Sequence, residues 1–500
     1  VLDTRSHAER RLFGLFFCFL FVIAVALSLF GSLLPFPSGG FSIQRSFLCV
    51  LIVLLGVLGA WAFLATPGFI EENLWPLTMV LSIGGLIFAH AFISNSHFRW
   101  IEPGLYVGFL GCIVLFGGLL GKSLSLKSLL EPMSVILGAC VALYGAMSLN
   151  YYGFSLSDRD VKIADHLPWG FVNIRYWSQV ATWLLPLLPL ALINGLARRS
   201  RLWVLLVVLG GAIWIWMILL SSARGTVVSL LVGTVCAFVI FRHAVLPWLK
   251  LFGLLLLCGG IFWLVLSGLM PALLGVSFEG RELSIGSSGR WVLWQEAFAM
   301  SLQSFPFGQG PQAWLTHEPL TEAYRGSKAF GHPHNMYLMW AAEYGWLVVC
   351  LIFGMFAWMA HRLFKLRNLM GVNARSRDEV VLCGVTVSVA SALCHASISA
   401  VFVAPASMLI GLFVLIVFYA MLQSPQSALN KGRSGMVRRY PAWTFCCLFI
   451  VSAMSLWWLS GVYQYHQAMV RDLPVYLEQP ANAYFPRFWY HGYFPRTDTP

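Results

Sequence analysis

The chain is 500 residues long, 59% hydrophobic and only 10% charged, with a mean hydropathy of +0.77. Soluble domains carry about 25% charge, and disordered chains lack aromatic residues in the numbers found here, 38 Phe and 21 Trp; both classes are excluded. The formal charge of +12 invites a nucleic-acid reading, which its placement along the chain removes.

Apolar runs about 20 residues long, the length of a bilayer-crossing helix, recur from end to end. They specify an all-α polytopic membrane protein of 12–13 transmembrane helices with one large extracytoplasmic loop. The predicted spans lie near 12–35, 47–66, 76–96, 103–121, 133–150, 177–197, 202–222, 226–247, 249–270, 336–360, 379–399, 402–422 and 442–462. The first follows Arg5, Arg10 and Arg11 like a signal peptide, yet it is too long for one and lacks a small-residue cleavage site. It reads as a retained anchor. The expected organisation is an N-terminal bundle (1–270), a loop with amphipathic helices (271–335), further transmembrane helices (336–462) and an extracytoplasmic tail (463–500).

Orientation follows from Lys and Arg, which concentrate on the cytoplasmic side. With the N-terminus cytoplasmic, that side holds 19 of the 32 basic residues and 7 of the 20 acids, a surplus equal to the whole formal charge. The opposite side holds 13 basic and 12 acidic residues, and Glu343 falls inside a predicted span. The basicity is therefore a topology signal, and no nucleic-acid partner is implied. All eleven cysteines fall in or beside spans, where they read as small buried hydrophobes.

Three polar clusters sit at the extracytoplasmic boundary, where ionisable residues are functional candidates. Ser221-Ser222-Ala223-Arg224-Gly225-Thr226 breaks two spans and sets Arg224 at the membrane face, either snorkelling to headgroups or in room made for a ligand. Gly289-Arg290-Trp291 opens an amphipathic stretch that ends in Pro306-Phe307-Gly308-Gln309-Gly310-Pro311. With Ser287, Ser288 or Gly289 as cap, Arg290 falls at a helix N-terminus that favours an anion; the alternative is pairing with Glu296 or Glu282. Gly331-His332-Pro333-His334-Asn335 enters the next span. Its histidines suit acid–base chemistry better than a metal, because His-x-His splays its rings and few other ligands are near. Asn335 either orients a histidine or caps the following helix. Together, two arginines fit a diphosphate and a histidine fits deprotonation of a sugar hydroxyl.

At these residues the sequence resembles the O-antigen ligase family, which includes O-antigen polymerases and protein O-oligosaccharyltransferases. The resemblance rests on Ser222-Ala223-Arg224-Gly225, on Arg290-Trp291 through Gly308-Gln309-Gly310, and on His332-Pro333-His334-Asn335 through Glu343-Tyr344-Gly345. It implies a bacterial inner-membrane glycosyltransferase, active at the periplasmic face, with neither metal nor other cofactor. The enzyme would transfer a glycan from undecaprenyl diphosphate to an acceptor hydroxyl with inversion, most simply in ligation of O-antigen to lipid A–core. By the same resemblance Arg224 and Arg290 bind the donor diphosphate, His334 is the base, and His332 and Asn335 support it. Polymerase or protein glycosyltransferase activity shares this donor chemistry. A lipid-linked glycan or anion transporter would want charges lining a path through several spans, and the span interiors are nearly free of them. The thirteenth span departs from the family pattern by putting the aromatic, basic tail (Phe485, Arg487, Phe488, Trp489, Tyr490, His491) outside. It is expected to lie on the membrane surface rather than contact an acceptor.

Overall fold

The computed structural model describes residues 2–35, 39–65, 69–94, 96–123, 126–158, 167–276, 289–327, 330–370, 377–429, 442–477 and 486–491. Among them are helices and no strands. The helices are α1 (Leu2–Phe30), α2 (Gly39–Ala65), α3 (Phe69–Ala91), α4 (Ile101–Ser123), α5 (Leu126–Ser157), α6 (Ile174–Leu184), α7 (Leu188–Ala197), α8 (Arg201–Leu220), α9 (Arg224–Phe241) and α10 (Leu246–Trp263). They continue as α11 (Met270–Leu274), α12 (Arg290–Gln303), α13 (Ala313–Thr316), α14 (Glu322–Arg325), α15 (Met336–Tyr344), α16 (Trp346–Leu369), α17 (Arg377–Ala396), α18 (Pro405–Leu429) and α19 (Ala442–Leu477).

Among the described residues, twelve stretches are long and apolar enough to cross a membrane, and one of them, Arg224–Leu274, is 51 residues long. It holds α9 and α10, 18 residues each, or about 27 Å apiece at 1.5 Å per residue. A break at Arg242, with φ +51, separates them. Counted as two, that stretch brings the candidate spans among the described residues to the thirteen expected, in a polytopic all-helical membrane protein.

Burial explains the arrangement. The spanning part of α18, Pro405–Gln423, is wholly buried, as a helix apolar on every side must be. It is surrounded by α1, α2, α4, α6, α16 and α17. Its closest neighbour is α4, where Gly117 and Gly121 stand one turn apart. A Cβ at either would lie about 3 Å from a carbonyl oxygen of α18, at Ile416 or Ala420, so small residues set this approach as they do in membrane helix pairs. At the periphery, Arg224–Leu274 and Thr444–Pro474 bury only 17% and 11% of their most apolar windows and present a lipid-facing flank.

Two predicted boundaries change. The span expected at 336–360 is two helices, α15 and α16, because Gly345 adopts φ +88. A side chain there would be strained, and its Cβ would stand 2.5 Å from Pro306 O. Glu343 thus precedes the span instead of lying in it. The last helix runs to Leu477, well past the expected end at 462.

Candidate functional site

Each candidate arginine is carried by a helix N-terminus. Arg224 is the first residue of α9, reached after a turn at Ser222, with φ +51. Arg290 is the first residue of α12, and the cap is Gly289, at φ +71; Ser287, Ser288 and Glu282 lie outside the described residues. The expected alternative of an Arg290–Glu296 pair does not form. The Glu296 carboxylate accepts from Leu320 N at 2.6 Å, Thr321 N at 2.9 Å, Thr321 Oγ1 at 2.6 Å and His317 Nε2 at 3.0 Å, pinning the loop onto α12.

A third arginine escaped the sequence reading. Arg175 is the second residue of α6, whose cap Asn173 accepts a hydrogen bond from Arg175 N. Its guanidinium reaches across the bundle, and Nη1 is 3.2 Å from His334 Nε2. A guanidinium only donates, so Nε2 is the acceptor and the imidazole is neutral with its proton on Nδ1. The signal was present in the sequence: an Asx cap followed by arginine at the start of an apolar helix.

His334 itself sits at φ +57, a left-handed conformation that non-glycine residues hold only where the surroundings impose it. The His334 backbone N–H donates to His332 Nδ1 at 3.2 Å, and the two rings meet edge-on with centroids 4.4 Å apart. Asn335 caps α15, its Oδ1 accepting from Tyr337 N and Leu338 N at 3.0 Å each. The Gly308-Gln309-Gly310 turn closes the other end of that helix: Gln309 N and Gly310 N donate to Ala342 O and Glu343 O, both at 2.9 Å. A Cβ on Gly308 would collide with the Glu343–Tyr344 peptide, so the glycine is required by the fit.

The electrostatics are those of cations held together. Burial, then Arg175 and Arg224, lower the Arg290 guanidinium to about 10, and its Nε is buried with no acceptor among the described residues. Burial, then His332, Arg175 and Arg290, hold the His334 imidazole well below its ordinary value. His332 is lowered to about 3, by burial and then Arg487 and Arg175. Close by, Thr182 Oγ1 donates to Ser178 O and lies 2.8 Å from His395 Nδ1. A Cβ on Gly225 would be 3.1 Å from His395 Nε2, so glycine lets the first turn of α9 settle on that imidazole. Among the described residues no three His, Cys, Asp or Glu side chains cluster as metal ligands.

Residues 209–353 match the family model described as O-antigen ligase. The chain carries an O-antigen ligase domain. No curated protein matches the chain. The ligase domain contains Arg224, Arg290, His332, His334 and Asn335, whereas Arg175 comes before it and Arg487 after it. A domain of this family implies a glycosyltransferase-like ligase reaction on a lipid-linked glycan and a lipid acceptor.

The C-terminal tail overturns an expectation. Residues 486–491 do not lie on a membrane surface: Arg487 is 1% exposed, Phe488 2% and Trp489 1%. Arg487 Nη2 is 2.7 Å from Glu102 Oε1 and 2.7 Å from Glu343 Oε2. Burial works against the guanidinium's charge, yet Glu102 and Glu343 raise its proton affinity above the ordinary value. Burial pushes the Glu343 carboxyl up to about 7 against the pull of Arg487.

Proposed function

We propose that this protein is an inverting glycosyltransferase of a bacterial inner membrane, with its site at the periplasmic face, that ligates O-antigen from undecaprenyl diphosphate onto lipid A–core. The supporting observation is a group of three arginines beside a neutral His334: Arg175 touches its Nε2, Arg290 acts on the same imidazole, and Arg224 acts on Arg290. Guanidiniums side by side repel one another, and a diphosphate relieves that repulsion through charge-assisted, bidentate contacts. The excess of Lys and Arg on the opposite side supports the orientation.

In the proposed step the acceptor hydroxyl oxygen attacks the anomeric carbon of the donor sugar. The bond from that carbon to the diphosphate oxygen breaks, its electron pair leaving with undecaprenyl diphosphate. The hydroxyl proton passes to His334 Nε2, the lone pair that Arg175 contacts before donor arrives. Diphosphate is a good leaving group and the arginines offset its charge, so the step calls for no metal or nucleotide. His332 holds the His334 backbone, and Asn335 anchors the helix that follows.

The test is purified protein with undecaprenyl diphosphate-linked glycan and lipid A–core, products identified by mass. Ligation is expected, and it should vanish in Arg290→Ala and His334→Ala proteins that still insert in membranes. Full transfer by the His334 variant would end the mechanism. A deletion strain separates acceptors: lipid A–core bare of O-chain supports ligation, a single repeat unit means polymerase, and an unglycosylated protein means a protein O-glycosyltransferase.

A further inference from the structure

Arg487 does more than sit in a buried ion pair. All five of its N–H groups have acceptors: Nε donates to Glu102 Oε2 at 3.3 Å, and Nη2 to Glu102 Oε1 and Glu343 Oε2 at 2.7 Å each. Nη1 donates to Gly331 O at 3.2 Å and to Met339 Sδ at 2.6 Å. A guanidinium has five such donors in a fixed fork, so this socket is complete. Its walls bracket one short stretch of chain. Gly331 stands three residues before His334, and Met339 and Glu343 stand on the helix directly after it.

The segment that delivers Arg487 is fixed independently. Arg45 on α2, 1% exposed, donates from Nε to Phe488 O at 2.9 Å and from Nη2 to Arg487 O at 3.4 Å. Its guanidinium also lies over the Phe488 ring at 5.0 Å. The same ring stacks on Tyr465 of α19 with centroids 5.4 Å apart, and His491 Nε2 meets Asp472 Oδ2 at 2.6 Å. A buried cation on one helix thus holds the backbone that presents a second buried cation to the histidine loop.

We propose that Arg487 is a positioning residue for transfer: the C-terminal segment reaches back into the bundle and clamps the Gly331–Glu343 stretch, holding His334 in its left-handed conformation against the diphosphate site. This rests on the reading of His334 as the base. A conformation disfavoured for a side-chain-bearing residue persists only where its surroundings over-determine it, and Arg487 supplies restraints on both sides of it. The ligase domain proper, residues 209–353, is then incomplete without residues far outside it, from α4 and from the last segment of the chain.

The test removes the clamp without stranding charges. The triple variant Glu102→Gln, Glu343→Gln, Arg487→Met takes out the whole ionic group, a replacement that folded proteins often tolerate. The expected result is a membrane-inserted protein whose kcat for transfer from undecaprenyl diphosphate-linked glycan falls about ten- to a hundredfold, the range of a catalytic group displaced by about 1 Å. Its donor KM should stay within about threefold, because the arginines that hold the diphosphate are untouched. Wild-type kcat in that protein overturns the proposal. Should it not fold, Arg487→Lys decides, since the ammonium keeps the charge but cannot span Gly331 O and both carboxylates. A several-fold loss of kcat at unchanged thermal stability is expected, and lower stability with full kcat per folded molecule overturns the positioning role. His334→Ala in the same assay separates the two failures. If His334→Ala is dead and the clamp variants are fully active, only the clamp falls; if His334→Ala retains full transfer, base and clamp fall together.

Discussion

The histidine loop lies between two cationic regions of opposite design. On one side Arg487 lies between Glu102 and Glu343, with a carboxylate oxygen 2.7 Å away on each. On the other, Arg290 lies beside Arg175 and Arg224, its charge destabilised by burial and by both neighbours. The first group is closed by the protein's own atoms. In the second, neighbouring cations oppose the Arg290 charge, and an anion from outside would offset that repulsion. The difference separates an element closed on itself from one that fits the proposed ligand.

The largest expected effect sharpens the ligand side. His334→Ala should lower transfer by about 10²–10⁴-fold, the usual contribution of a positioned acid or base, while donor binding measured by thermal shift persists. Loss of binding in proportion to rate would move His334 from the chemistry to the diphosphate. Next, on the matched side, Arg487→Ala leaves Glu102 and Glu343 buried without their cation. Stability should fall by about 3–5 kcal/mol, read as melting in detergent, and an unchanged melting point would break the comparison at its structural half. Arg290→Ala should show the reverse pattern. Removing a repelled cation costs the empty protein little, whereas donor affinity should drop by a charge-assisted contact, about 1.5–3 kcal/mol or at least tenfold. Stability lost to the same degree as affinity would make Arg290 structural.

Legibility in the sequence divides along the same line. The spans were legible because each run of apolar residues must match the bilayer on its own. Arg224, Arg290 and His334 were legible because a charge at a membrane boundary beside Gly, Ser or Asn is conspicuous locally. Arg175 carries a similar local signature, an Asn two residues ahead at a helix start, but no glycine or second polar motif beside it marks a site. Arg487 could not be found that way. Its tail of aromatic and basic residues is what a membrane-surface segment also looks like, and only the distant Glu102, Glu343 and Arg45 distinguish the two. Long-range charge matching leaves no periodic trace. Nor does the α15–α16 break, which depends on a Gly345 hemmed in by Pro306 and Phe307.

A smaller effect tests whether the ligand completes the cationic side. In the empty protein His334 is depressed by burial, His332, Arg175 and Arg290, so it remains neutral to well below pH 6.5. A bound diphosphate offsets Arg175 and Arg290 and raises the imidazole toward its ordinary value. The acid limb of kcat, which reports the donor complex, should therefore lie at higher pH than that of kcat/KM, which reports the free enzyme. Limbs that coincide would mean that the diphosphate binds away from His334.

The smallest effect concerns the joint between the regions. Asn335 follows the catalytic candidate directly, and its Oδ1 accepts two N–H groups of α15, the helix whose far end bears Glu343. A side-chain cap contributes about 0.5–2 kcal/mol. Asn335→Ala should lose about that much stability, and transfer should slow only in so far as α15 loosens its grip on the loop. Asn335→Asp keeps the acceptor and adds a negative charge that the helix N-terminus tolerates, so it should restore stability. If the cap is the whole role, Asp restores transfer as well. If Asp restores the melting point and leaves transfer low, Asn335 also meets the donor or acceptor, since an added anion there opposes a diphosphate held by Arg175 and Arg290 while leaving the matched network around Arg487 unaltered.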